Sequence, residues 1–241
     1  MVKNKRRVVL KVSGEQLGSS GEDDFIVKEG IRVCLVIERL RKEGFLVACV
    51  VGGGNIVRGH ALVESGFTNE VTADNMGMVG TVINAIFLSQ LLNDRGFVDA
   101  RAMSKVSVQG MIEPFSYQRA LKELDAGSVV VVGGGTGNPG VTTDMGVVIV
   151  AHQLHCPDVI KTTKVRGVFD KDPNKFSDAK HIPTLDLRTA LENPSIQVMD
   201  NAALAYALDH GITISICEPD PDDVIIVLNG DTTRGSIISP L

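Results

Sequence analysis

Short apolar, β-branched runs alternate along the chain with longer stretches whose apolar positions recur every three or four residues. The first run, Val8 to Val12, is broken only by Lys11 and ends in Ser13-Gly14-Glu15. Residues 25–43 follow with apolar side chains at Ile31, Cys34, Leu35 and Leu40, set between charges such as Arg32, Glu38, Arg39 and Arg41. That spacing predicts a helix, with Gly44 as the residue that ends it. Phe45 to Val51 is an uninterrupted apolar run, as expected of a strand covered on both faces. Gly52-Gly53-Gly54-Asn55 closes it. The opening unit is therefore strand–helix–strand, for which a right-handed crossover is the default.

The same alternation continues. Residues 56–71 read as loop or short helix. Asp74 to Leu92 reads as a long apolar helix, with Met76, Val79, Ile83, Ile86 and Phe87 among its candidates for burial. Val98 to Met103 is a strand, Tyr117 to Leu124 a helix stopped by Gly127, and Ser128 to Val132 a central strand. A helix over Thr143 to Leu154 and a strand over Asp158 to Thr162 come next. Residues 163–183 are polar and contain Gly167, Asp172-Pro173 and Pro183, so they read as an excursion outside the sheet. Helices over Leu185 to Leu191, Met199 to His210 and Pro219 to Leu228, and strands over Ile212 to Cys217 and Gly235 to Ser239, complete the chain. Alternating strands and helices predict an α/β fold, a three-layer αβα sandwich around a mainly parallel sheet. No linker separates independent domains, so residues 1–241 are expected to form one.

Composition narrows the class. Hydrophobic residues make up 44% and charged residues 22%, the balance of a soluble globular protein. No apolar run is expected to span a bilayer, and the basic N-terminus is followed by too few apolar residues for a signal segment. A cytoplasmic protein is expected, without a membrane partner. The net charge of −5 offers no field for nucleic acid. Cys34, Cys49, Cys156 and Cys217 lie in apolar contexts without a CxxC pair, and read as buried thiols. His152 and His155 lie beside Cys156, but no carboxylate spacing completes a metal site there.

Chemistry concentrates where strands meet glycine: Ser13-Gly14, Gly52-Gly53-Gly54 and Gly133-Gly134-Gly135. In open α/β sheets ligands lie beyond the carboxyl ends of the strands. Backbone N–H groups freed by glycine beside a helix start make an anion site. Glycines serving only tight turns would explain one such turn more easily than three on one edge. The spacing Gly135-x-Gly137-x-x-Gly140 imitates a dinucleotide fingerprint. Pro139, however, pushes Asn138 out of helical geometry where that fingerprint should enter its helix. Neither triple glycine continues into the Gly-Lys-Ser/Thr of a Walker A loop. Positive charge for phosphates must therefore come from elsewhere, and Lys11 and Arg58 stand at the required edge. Phosphoryl transfer needs mainly positioning and charge neutralisation.

These residues resemble the amino-acid kinase family, and within it the bacterial uridylate kinases. The resemblance runs over nearly the whole chain. It rests on Leu10-Lys11-Val12-Ser13-Gly14-Glu15, the segment from Gly52 to Gly59, Asp74-Asn75-Met76-Gly77-Met78, Gly135-Thr136-Gly137-Asn138-Pro139, Thr142-Thr143-Asp144, Lys161 to Val165, Gly167-Val168-Phe169 and Asp172-Pro173. It implies transfer of the γ-phosphoryl group of ATP, with Mg²⁺, to UMP, in pyrimidine nucleotide synthesis. It also implies a cytosolic homohexamer, with UTP or GTP as candidate effectors. Carried over by position, Lys11 would neutralise the transferring group, and Val12, Ser13 and Gly14 would complete the ATP-phosphate loop. Gly53 would approach UMP and Gly54 ATP, with Arg58 between them. Asp74 would contact UMP, and Thr136, Gly137, Asn138, Pro139, Gly140, Val141, Thr142 and Thr143 would wrap it. Thr163, Phe169 and Asp172 would form part of the ATP nucleoside pocket. The acceptor half would span about residues 1–160 and the ATP half about 161–241.

Asp144 reads both as a helix N-cap and as a catalytic residue that orients Lys11 or organises magnesium and phosphates. Asp200 reads as a cap. Arg166 stands where relatives often carry an acid, reversing charge near the nucleotide. The acidic Glu22-Asp23-Asp24 departs from the stretch associated with GTP activation and would repel a triphosphate. Two other functions fit the same residues. One is a carboxylate kinase of the same family, which the Asp-x-Met-Gly-Met and Thr-Gly-Asn-Pro segments disfavour. The other is a silent nucleotide-binding storage or sensor protein, which intact Lys11, Arg58 and Asp144 disfavour.

Overall fold

A computed structural model describes residues 6–18, 23–193, 196 and 198–240. In chain order the elements are β1 (Arg7–Val12), α1 (Asp23–Lys42), β2 (Leu46–Val51), α2 (Gly59–Glu64), α3 (Glu70–Asp94), β3 (Ala100–Ser104), β4 (Glu113–Pro114), α4 (Tyr117–Ala126), β5 (Val129–Gly133), α5 (Thr143–Gln153), β6 (Asp158–Thr162), β7 (Val168–Phe169), β8 (His181–Ile182), β9 (Thr184–Asp186), α6 (Leu187–Glu192), α7 (Asn201–Asp209), β10 (Thr213–Cys217), α8 (Pro221–Leu228) and β11 (Gly235–Ser239). Among the described residues nine strands form one sheet in the order β4-β3-β5-β2-β1-β6-β10-β11-β9, and β7 and β8 form a separate hairpin. Among the described residues of the large sheet only β10 and β11 pair antiparallel. The expected αβα sandwich is what the chain adopts.

Strand alternation divides the apolar residues between two cores. Val8, Leu10 and Val12 face the core beneath α1, α3 and α8, together with Val47, Cys49 and Val51 of β2. Val9 faces the opposite core beneath α4, α5, α6 and α7, as do Leu46, Ala48 and Val50. Lys11 has the parity of Val9, so it emerges on the α5 side. Lys161 of β6 sits directly beside it in register. The four cysteines are buried and unpaired. Burial pushes the Cys34 thiol up to about 12, leaving it without thiolate character at neutral pH.

Helix α3 departs from the sequence reading in two ways. It is long and apolar enough to cross a membrane, contrary to the expectation that no run is, but 56% of its most apolar window is buried inside the protein. The buried face is also not the expected one. Met76, Val79, Ile83 and Ile86 are exposed and Phe87 is only partly buried. Ala73, Gly80, Thr81, Asn84, Ala85, Leu88 and Ser89 turn inward instead. A helix that is apolar on all sides gives no phase from hydrophobicity, and here small and hydrogen-bonding residues decide it by allowing close approach to β5. Leu35 of α1, expected inside, is likewise exposed.

Candidate active site

The site lies along the carboxyl ends of β1, β2, β5 and β6. Its centre is Asp144, in the first turn of α5, whose carboxylate lies between two lysines from adjacent strands. Oδ1 lies 2.9 Å from Lys11 Nζ and Oδ2 lies 3.0 Å from Lys161 Nζ. The three side chains are only about 15% exposed (15%, 15% and 16%). Burial alone would raise the Asp144 carboxyl, but Lys161 and then Lys11 outweigh it and hold the group below its ordinary 3.8. Burial and the Lys11 charge push the Lys161 ammonium down. Lys161 also donates to the Val198 carbonyl. Two ammoniums and one carboxylate leave a net positive floor under the strand ends, suited to phosphate oxygens.

Asp144 does not cap its helix. Thr142 does, its Oγ1 accepting from Met145 N at 3.3 Å, and the same hydroxyl donates to Asp200. Asp144 is one residue past the first helical position, which frees its carboxylate for the lysines. Asp200 is a cap, as expected, accepting from Ala203 N at 2.7 Å.

Two cavities share a wall at this edge of the sheet. One, of about 290 Å³, is lined by Lys11, Ser13, Gly14, Glu15, Gly52, Gly53, Gly54, Arg58 and Thr143. The other, of about 630 Å³, is lined by Asp74, Gly77, Met78, Thr81, Gly135, Asn138, Val141 and Thr142. Gly53, Gly54, Arg58 and Thr143 wall both. Asp74 Oδ2 accepts from Gly140 N at 2.6 Å, tying α3 to the loop after β5. Thr136 Oγ1 bonds within its own turn, to the N and O of Asn138, both at 3.2 Å. Gly137, Pro139 and Gly140 are exposed on that loop. Val12 points its side chain into the core and is 1% exposed, so only its backbone can serve a ligand.

The glycines are fixed by packing as well as by any ligand. A Cβ on Gly53 would lie 2.7 Å from the Gly77 carbonyl and 2.8 Å from Thr81 N. On Gly54 the nearest atom would be Arg58 Nε at 3.5 Å, so that glycine opens toward the cleft. Arg58 donates to the Gly54 carbonyl at 3.1 Å and pairs with Glu15, which also meets Lys164 at 3.3 Å. The predicted nucleoside residues divide: Phe169 and Asp172 line a cavity of about 280 Å³ beside Val198. Thr163 lies instead on a cleft of about 460 Å³ with Lys11, Ser13 and Lys161. Glu22 and its neighbours 19–21 lie outside the described residues.

The sequence profile of the amino acid kinase family matches residues 6–218. The chain belongs to the amino acid kinase family. A uridylate kinase of Wolinella succinogenes is 39% identical over 99% of the chain and 98% of the relative. One from Campylobacter jejuni is 37% identical over 98% and 99%. A crystal structure of UMP kinase from Bacillus anthracis superposes with a TM-score of 0.90 at 32% identity, covering 98% of this chain and 96% of that one. The UMP kinase of Ureaplasma parvum gives 0.88 at 29% identity, over 98% and 99%.

In this amino acid kinase, reasoning from sequence misses three contributors. Lys161 enters it only as part of a motif, yet its place near the end of an apolar run, like that of Lys11, is a signal of shared parity. Thr81 accepts from Gly134 N at 2.6 Å and donates to the Met78 carbonyl at 2.7 Å. Asn84 donates to the Gly52 carbonyl and to Asn55 Oδ1, each at 2.7 Å. A polar stripe on an otherwise apolar helix is the available sign, and it holds two of the glycine turns to α3.

Proposed function

We propose that this chain is a uridylate kinase, transferring the γ-phosphoryl group of ATP to UMP to give UDP and ADP. The observation that carries the reading is the pair of cavities sharing Gly53, Gly54, Arg58 and Thr143, with Lys11 lining the smaller one and joined through Asp144 to Lys161. The names of the full-length relatives supply the acceptor. In this reading the smaller cavity holds the donor phosphates and the larger one UMP. Lys11 and Lys161 take up charge that develops on the transferring group, and Asp144 holds both ammoniums in place. Arg58 leaves Glu15 to bridge the two substrates' phosphates. Gly53 and the 136–143 loop hold UMP, with Asp74 fixing the loop through Gly140. Val12, Ser13, Gly14 and Gly54 offer backbone to ATP, and Thr163, Phe169 and Asp172 its nucleoside. A UMP phosphate is already ionised near neutral pH, so its oxygen needs no general base.

Among the described residues no group of three or more His, Cys, Asp or Glu side chains is placed to hold a metal ion. Asp144 Oδ1 is nonetheless buried without a hydrogen bond, its contact with Lys11 being an ion pair. With no protein cage among the described residues, Asp144 is the residue that would contribute to holding a Mg²⁺ ion carried on ATP. The ion would supply charge neutralisation during phosphoryl transfer.

We further propose that the donor half begins near residue 161 and that the enzyme works in the cytoplasm, in pyrimidine nucleotide synthesis, as a homohexamer open to UTP or GTP control. The exposed apolar row Met76, Val79, Ile83 and Ile86 on α3 supports self-association, because such a stripe is suited to burial against its own copy. A coupled ADP-release assay with UMP, CMP, glutamate and acetylglutamate as acceptors tests the function. Turnover with UMP far above the others is expected; turnover only with a carboxylate, or none, overturns it.

A further inference from the structure

The hairpin of β7 and β8 carries Phe169 and stands outside the main sheet. Its strands are two residues each, paired Val168 to Ile182 and Phe169 to His181. A ladder that short does not hold itself in water. Its anchor is Ser236 of β11, which is 0% exposed. The Ser236 hydroxyl accepts from Val168 N at 2.8 Å and donates to the Ile182 carbonyl at 2.6 Å, so one side chain grips both strands. His181 Nε2 lies 3.1 Å from the same oxygen. A serine hydroxyl has one proton and two lone pairs. The proton is committed to Ile182 and one lone pair to Val168, so His181 Nε2 carries a hydrogen and donates it to the other. Burial, aided by the Arg166 charge, lowers the His181 pKa and favours this neutral form.

Close approach is built in. A Cβ on Gly167 would lie 2.5 Å from Ser236 Oγ and 2.9 Å from His181 Nε2. Pinned at Nε2, the imidazole tilts against Phe169, with ring centroids 5.4 Å apart and planes at 60°. Phe169 lines the cavity of about 280 Å³ with Val165, Asp172 and Val198, whereas His181 does not line it. His181 therefore acts on that cavity through residues it holds in place, Phe169 by ring contact and Gly167 by close approach.

We propose that His181 and Ser236 are positioning residues for the donor nucleotide, latching the hairpin so that Phe169 presents its ring to the base. The inference rests on the reading that Phe169 and Asp172 contact the ATP nucleoside. An aromatic contact of this geometry sets the scale of the effect, about 2- to 12-fold in affinity.

The test is calorimetric titration of the full chain with a non-hydrolysable ATP analogue and, separately, with UMP, alongside melting temperatures. His181→Ala should weaken the ATP analogue about 2- to 12-fold and leave UMP affinity and saturated kcat unchanged. His181→Phe, which keeps the ring and loses the donor, should recover part of the loss. Ser236→Ala should weaken the ATP analogue as His181→Ala does. A His181→Ala variant that melts earlier but binds the analogue normally, or that loses ATP and UMP affinity equally, overturns the latch. Phe169→Ala separates the two layers. If it weakens the analogue and His181→Ala does not, the latch alone fails. If Phe169→Ala binds the analogue normally, the placement of the nucleoside fails and the latch with it.

Discussion

Replacing Asp144 by Asn keeps the shape of the side chain and removes its charge. Two ammoniums, 2.9 and 3.0 Å from its oxygens, would then face a neutral amide at a site about 15% exposed. Removing one partner from a buried ion pair costs about 3–5 kcal/mol. The amide keeps one oxygen that a lysine can donate to, so we take the lower end, about 3 kcal/mol. For a chain of this size that lowers Tm by about 6–12 °C. The effect on turnover should be larger, because the lysines it releases are the groups proposed to stabilise the transferring phosphoryl group. Loss of one such preorganised element typically lowers kcat about 10²–10³-fold. The pH dependence adds a sign. The carboxyl is held below 3.8 in the fold, so its contribution to stability is full above its unfolded pKa and disappears as pH falls through the folded value. An amide at this position does not titrate, so the wild-type loss of stability on acidification should shrink in the variant. The assay is coupled ADP release at 25 °C, where both proteins are folded, together with melting curves from neutral pH downward. An Asp144→Asn enzyme with kcat within threefold of wild type would refute the reasoning.

Other substitutions probe single parts of the site. Lys11→Ala should lower kcat about 10²-fold with a smaller loss of stability than Asp144→Asn, because Asp144 keeps Lys161; steady-state kinetics with melting curves will show whether kcat stays. Asp74→Asn weakens the charge-assisted bond from Gly140 N, and should raise the UMP KM roughly tenfold with little change in the ATP KM; an effect confined to ATP would place the pockets the wrong way round. Ile83→Asp puts a charge in the exposed row of α3, and should shift sedimentation toward smaller species while the circular dichroism spectrum is kept. An unchanged sedimentation coefficient would remove that face from the assembly.

The fold is most legible in the sequence where chemistry and periodicity agree. The bounds of β6 and β11, Asp158–Thr162 and Gly235–Ser239, are those expected from the sequence, and Gly44, Gly96 and Gly127 adopt the left-handed conformation typical just past helix ends. Lys11 stands out because an ammonium inside an apolar strand demands a reason. Lys161 stands in a similar place near the end of β6, but its pairing with Lys11, about 150 residues away in the chain, is visible only in the sheet register. The two residues of β4 and the three of β9 are too short to show a period. Asp144 reads as a cap from sequence because Thr142, Thr143 and Asp144 are all capping types, and only the backbone path shows that Thr142 takes the role. On α3 the apolar residues surround the helix, so the inward face is set by Gly80, Thr81 and Asn84, which approach the glycine turns more closely than any larger side chain can.

Donor and acceptor phosphates are proposed to meet near Lys11, Asp144 and Lys161. A crystal structure of the chain with UMP and a non-hydrolysable ATP analogue tests it directly. The γ-phosphate is expected within about 2.7–3.2 Å of the Lys11 and Lys161 ammoniums, with the UMP phosphate at Arg58 and its nucleoside in the cavity lined by Asp74 and Val141. UMP bound on the Phe169 side, or a γ-phosphate out of reach of both lysines, would contradict it.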